Sequence, residues 1–165
     1  MNLIYLNTAM SITGLTKRTL WRHIKSGRLS AVSAGTSGER TRVHMEEVLA
    51  LSCIPLEPED SALILEADSG NAEAQCDLGL LFLNAGRATD AVFWLELAAK
   101  QADPTAMCYL ARCCLSGEGV RTNEEAGLVW LTHAAAKGHA IAQALLESLQ
   151  STKGKQLRLA QNRQS

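Results

Sequence analysis

The residues best suited to chemistry in this sequence are the cations of one short run, TKRTLWRHIKSGRL, from Thr16 to Leu29. Lys17, Arg18, Arg22 and Lys25 stand close together in it and fall largely off its apolar positions. Charges so placed can meet phosphate oxygens, and a short helix buried on one side and cationic on the other has the shape of a DNA-reading helix. The same pattern also describes an ordinary solvated helix face. Other chemistry finds little support. The histidines His23, His44, His133 and His139 are scattered, and the five cysteines include no C-x-x-C pair. Neither metal-ligand spacing nor a G-x-S-x-G elbow, P-loop or dinucleotide fingerprint occurs. The expectation is a non-enzyme with no catalytic residue, metal or cofactor.

Positioning those cations requires a helix with defined ends. Thr16 is a good N-cap, because its hydroxyl can accept from an unpaired amide of the first turn. Leu20 and Ile24 are four apart and share a face that Leu15 closes, and Gly27 supplies a left-handed stop. Upstream, Leu3–Leu6 reads as a strand, and Thr8 can cap a short helix through Ala9, Met10 and Ile12 that Gly14 breaks. Two helices about a tight turn make a helix-turn-helix. Downstream, RLSAVSAGTSGERTRV reads as a hairpin with its tip at Gly35–Gly38. Arg40 and Arg42 alternate along its return strand and so share a face that can lie along a phosphate backbone. His44–Leu51 reads as a closing helix.

The pattern T-L-x-R-x-I-x-x-G-x-L (Thr19, Leu20, Arg22, Ile24, Gly27, Leu29), followed by a wing and a closing helix, resembles the winged helix-turn-helix of the MerR and phage-excisionase superfamily. The resemblance covers the first third of the chain. It implies that Thr16, Lys17, Arg18, Thr19 and Arg22, with Lys25 beside them, face a DNA groove, and that Arg40 and Arg42 sit on the wing. The family has an aromatic where His23 stands and a polar residue where Trp21 stands, so this chain departs from it at two positions.

Charge divides the 165 residues. Residues 1–50 hold seven Lys and Arg against three acids, residues 51–150 hold five against fourteen, and the tail from Ser151 has four cations and no acid. The basic start suits a polyanion and the acidic middle does not. Hydrophobic residues make up 47% and aromatics only 4%, which favours closely packed helices over a β-rich core. No stretch is apolar for long enough to cross a bilayer, and MNLIYLNTAM lacks a basic signal-peptide start, so the expected location is the cytoplasm, with no membrane partner.

Residues 54–58, with Pro55 and Pro58, read as a linker between a first domain over 1–53 and a second over 59–150. The second repeats itself. Leu78 aligns with Leu110, Gly79 with Ala111, Ala91 with Gly127 and Trp94 with Trp130. The second copy carries four extra loop residues around Gly117–Val120, and a third start follows His139. A-x-x-x-L-G, G-x-G-V, a Trp and A-A-x-x-G together resemble the Sel1-like branch of the tetratricopeptide superfamily. That implies stacked helix hairpins between capping helices at Glu59–Asp68 and Ala140–Leu149, and a concave groove for a protein partner. Candidate groove residues on the first helices are Gln75, Leu81, Asn84, Tyr109, Arg112 and Ser116. Trp94 and Trp130 are expected in the core, and residues 151–165 form a basic tail expected to be disordered.

The sequence thus predicts a mainly α chain, a small winged helix-turn-helix followed by a short α-solenoid. Its expected function is transcriptional regulation by binding double-stranded DNA, with the repeats holding a protein partner or a second copy in a homodimer. The alternative is an adaptor whose first module docks protein rather than DNA.

Overall fold

The chain opens with a short strand, β1 (Leu3–Tyr5), that runs directly into helix α1 (Leu6–Thr13). Helix α2 (Lys17–Lys25) follows after a three-residue break, then strands β2 (Ala31–Ser33) and β3 (Thr41–His44) and a short helix α3 (Met45–Leu49). The computed structural model describes residues 2–33, 41–57 and 59–162. Arg40, the hairpin tip at 35–38 and Pro58 lie outside the described residues. The strands form one antiparallel sheet in the order β1-β3-β2. Val43 pairs with Ile4 on one side and Ala31 on the other, and Arg42 with Tyr5 and Val32. Alternation then decides the faces. Ile4, Thr41 and Val43 are buried toward the helices, while Arg42 and Val32 turn outward.

Six more helices run antiparallel in sequence. They are α4 (Asp60–Ser69), α5 (Ala72–Asn84), α6 (Ala88–Lys100), α7 (Pro104–Ser116), α8 (Glu124–Ala136) and α9 (Ala140–Asn162). Each packs mainly on its neighbours in the chain, the one-dimensional arrangement of a helical solenoid. Their starts are written in Asx residues. Asn71, Asp103 and Asn123 accept from the amides of Ala74, Ala106 and Ala126 at 3.0, 2.7 and 3.0 Å. Pro104 fits at the head of α7, where no amide partner is needed. Small residues sit where helices touch. A Cβ on Gly79 would stand 2.9 Å from Leu95 Cγ, and one on Gly127 would stand 2.7 Å from Leu115 Cγ. Gly119, in the G-x-G-V loop, lies against the start of α6, where a Cβ would meet the Ala88 carbonyl at 2.3 Å. That loop therefore closes the second hairpin onto the first.

Several boundaries differ from expectation. Thr8 does not cap a helix: α1 begins earlier, at Leu6, and Thr8 is buried within it. The closing helix is shorter than His44–Leu51, because the chain turns back at Leu51–Cys53 to bond α1, with Cys53 N donating to Ile12 O at 3.0 Å. The basic tail is not an unstructured segment from Ser151, since the α9 backbone stays helical to Asn162. The run to Asn162 holds no proline, and its one glycine, Gly154, does not end the helix.

The core does not stop at the linker. One buried cluster runs from Ile4, Ala9, Ile12 and Leu20 through Ile54 to Ile64, Leu78, Phe82 and Trp94. A second fills the later repeats around Leu95, Leu110, Cys113 and Leu131. No described helix is long and apolar enough to cross a membrane.

Candidate functional site

Two surfaces carry the residues singled out from the sequence. The first is α2. Thr16 caps it as expected, its hydroxyl accepting from Thr19 N at 3.3 Å and pairing with the Thr19 hydroxyl at 3.0 Å. Leu20 is fully buried and Ile24 half-buried, so the apolar stripe is the inner face. At roughly 100° per residue, Arg18, Arg22 and Lys25 fall within a sector of roughly 60°. All three are exposed, and among the described residues no carboxylate lies within ion-pairing distance of them. Lys17 is exposed too, but stands roughly 100° away from Arg18, beside the Trp21 edge. His23 is half-buried, and its carbonyl accepts from Arg28 N at 3.0 Å and Leu29 N at 3.3 Å, closing the helix end.

Arg42 is exposed on β3, the return strand on which the sequence placed it. Its guanidinium lies 4.5 Å from the centroid of the Tyr5 ring, and Nη2 donates to the Tyr5 hydroxyl at 2.7 Å. Cross-strand pairing with Tyr5 puts the ring there, so one edge of the exposed Arg42 guanidinium is held by β1.

The second surface is the line of first helices, α5, α7 and α9. Asn84, Arg112 and Ser116 are exposed on it, and Leu81 and Tyr109 half-buried. Gln75 is not available there. It is buried, its Nε2 donates to Ala67 O at 3.1 Å, and its Oε1 accepts from Gln101 Nε2 at 2.8 Å, so it ties α4, α5 and the end of α6 together. The Arg112 guanidinium lies 4.9 Å from the Tyr109 ring centroid. Between α7 and α9 a groove of about 210 Å³ is lined by Cys108, Tyr109, Arg112, His139, Ile141 and Leu145. Burial pushes the Cys108 thiol up, against the opposing pull of Arg112.

Sequence reasoning missed what joins the two surfaces. Trp94 is buried as expected, yet its neighbour is α1, where its indole Nε1 donates to Ser11 Oγ at 2.7 Å. Asp68, near the end of α4, accepts from Tyr5 N at 3.0 Å and Thr8 Oγ1 at 2.5 Å. Burial is the larger influence on it and raises its pKa, despite those hydrogen bonds. Above this contact a cleft of about 490 Å³ runs between the α1–α2 turn and α6, lined by Met10, Leu15, Thr16, Asp90 and Phe93. Asp90 is held by Arg87, with Nε and Nη2 of the guanidinium at 2.9 and 2.7 Å. The sequence signal for it is faint: Ser11 stands between Met10 and Ile12, in a helix that also carries Asn7, Thr8 and Thr13. Among the described residues no group of three or more His, Cys, Asp or Glu could hold a metal.

Paired helices of near-equal length, each leaning on the next, define the class as an α-solenoid of helical hairpins. The Sel1 repeat model matches residues 72–103 and 104–139, which are the hairpins α5–α6 and α7–α8. Both hairpins are thus similar to Sel1 repeats. It is similar to the crystal structure of a Sel1 repeat protein from Oxalobacter formigenes, at 26% identity and a TM-score of 0.52 over 56% of this chain and 29% of that one. It is also similar to c5321, a protective antigen present in uropathogenic Escherichia coli strains displaying an SLR fold, at 25% identity and a TM-score of 0.51 over 64% of this chain and 21% of that one. The chain thus spans less than a third of either protein's length. No curated protein matches it. The family match begins at residue 72. The MerR resemblance of the first third rests on the sequence pattern alone.

Proposed function

We propose that this chain is a protein-interaction adaptor that holds a partner along the first helices of its Sel1 repeats. Stacked hairpins of this kind create a continuous concave surface, and they act as interaction scaffolds rather than enzymes. The observation that carries the reading is the row formed by Asn84 on α5 and Tyr109, Arg112 and Ser116 on α7, which remains solvent-accessible on matched repeats. A photo-crosslinking residue placed at Asn84 and, separately, at Ser116 of the full chain should trap the same partner in the host. One placed at Val129, on the second helix of its hairpin, should not. Capture from Val129 with none from the other two sites would overturn the reading.

A second reading is favoured by Arg18, Arg22 and Lys25 sharing one open sector of α2. In it, β1 to α3 form a winged helix-turn-helix of the MerR type, and α2 enters the major groove of DNA with Thr16, Lys17 and Thr19 at its leading end. One small module buries little surface, so tight binding calls for a homodimer or a partner. Titration of duplex DNA across salt concentrations tests it. Binding should weaken steeply with salt, and Arg18→Ala with Arg22→Ala should flatten the log–log slope by about two. Salt-insensitive binding, or no effect of the double substitution, would remove this reading.

A further inference from the structure

We infer that the groove between α7 and α9 is a subsite for an acidic, leucine-type segment of a partner protein, with Arg112 receiving the carboxylate and Ile141 and Leu145 the apolar side chain. The inference rests on the adaptor reading and adds the chemistry of the occupant. Three observations support it. First, Arg112 is exposed, and among the described residues no carboxylate lies within ion-pairing distance of it. Its guanidinium lies over the ring of Tyr109, one turn earlier on the same helix. Stacking on a ring fixes a guanidinium flat and leaves its N–H edge free for the two oxygens of a carboxylate. Second, the groove holds no internal anion to answer that charge. Cys108 stays a neutral thiol because burial raises its pKa, and the His139 Nδ1 already accepts from Ala142 N at 3.3 Å.

Third, the groove's other wall is apolar and open. Ile141 is 63% and Leu145 41% exposed, four residues apart on one face of α9. Exposed large apolar side chains are scarce elsewhere on the described surface, and the pair sits opposite Tyr109 across a groove large enough for a single side chain. The matching part of α5 is different, since Glu73 and Asp77 stand where α7 has Thr105 and Tyr109. Charge complementarity therefore assigns the acidic part of a partner to the α7–α9 end of the row and not to α5.

The test is fluorescence anisotropy on the full chain with a labelled peptide of alternating leucine and glutamate, and with the same peptide carrying glutamine or lysine in place of glutamate. The glutamate peptide should bind at least about tenfold more tightly than the glutamine one, in the range of a charge-assisted hydrogen bond. Arg112→Glu should abolish that preference and favour the lysine peptide, and Leu145→Ser should weaken all three. Arg18→Ala with Arg22→Ala should leave binding unchanged, and circular dichroism should show each variant folded. Equal binding of the glutamate and glutamine peptides, or a preference that survives Arg112→Glu or disappears with the α2 substitutions, would overturn the inference. A dimer by sedimentation that Arg112→Glu converts to monomer would overturn it too, by making a second copy the occupant. Because the peptides need no host partner, failure here leaves the crosslinks from Asn84 and Ser116 to judge the adaptor reading separately.

Discussion

A few polar side chains buried at one seam do work that no motif announces. Ser11 offers one hydroxyl to the indole of Trp94, and both are buried. Replacing Ser11 by Ala leaves that N–H without a partner, which costs about 1–3 kcal/mol. Chemical denaturation should record the loss, and an unchanged midpoint would show that water replaces the hydroxyl. Asp68 gives a pH signature of definite sign. Its folded pKa is raised above 3.8, with burial the main cause. The folded chain then holds the proton more tightly than the unfolded chain, so the contribution of Asp68 to stability falls as pH climbs from the ordinary carboxyl range through the raised pKa. The difference in unfolding free energy between wild type and Asp68→Asn should therefore decline across that range and level off above it. A difference that rises with pH would contradict the assignment. Cys76 and Cys113 are pushed up to about 12 and about 11, chiefly by burial, so both should alkylate slowly at neutral pH until the chain unfolds.

The helices themselves were largely legible, because their signals are local. Caps at Thr16, Asn71, Asp103 and Asn123, and glycines after the helices, can be read one residue at a time. The repeat was legible because Trp94 and Trp130 stand in matching neighbourhoods. What escaped was orientation between elements. Gln75 looks like a groove residue by spacing, but its amide is consumed by Ala67 and Gln101, a pairing set by how α4 leans on α5. Arg42 reads from the sequence as an exposed cation on the return strand, but the ring of Tyr5 beneath it appears only once strand register is known. Close helix contact also gives an ordered prediction. Ala in place of Gly gains up to about 1 kcal/mol of helix propensity, yet overpacking costs about 1–3 kcal/mol. At Gly127 the new methyl would meet Leu115 Cγ at 2.7 Å and the Ala111 carbonyl at 3.1 Å, and at Gly79 it would meet Leu95 Cγ at 2.9 Å and the Ala91 carbonyl at 3.4 Å. Both alanine variants should lose stability, Gly127→Ala more. The reverse order in thermal melts would mean that α7 and α8 separate more easily than α5 and α6.

At the scale of the molecule, the first fifty residues are not a detachable head. Ile4, Ile12 and Leu20 share a buried cluster with Ile64, Phe82 and Trp94, and α1 lies against α4 and α6 through Asp68 and Trp94. Deleting residues 1–53 would strip cover from the first repeat, so surface substitutions are the sound way to separate the two faces. Arg18, Arg22 and Lys25 on α2 and Arg112 on α7 reach solvent and fill no part of the core, whereas Tyr109 is half-buried against the second cluster. The three arginines can be changed without altering the packing, and circular dichroism on the Tyr109→Ala variant checks that removing its ring leaves the chain folded. The decisive measurement is capture of the crosslinked partner through Asn84 in the host, quantified for the full chain, for Tyr109→Ala with Arg112→Glu, and for Arg18→Ala with Arg22→Ala. The adaptor account expects the α7 pair to reduce capture at least about tenfold, as loss of a central aromatic and arginine contact does at interfaces, and the α2 pair to leave it intact. Capture that ignores the α7 pair and vanishes with the α2 pair would contradict it.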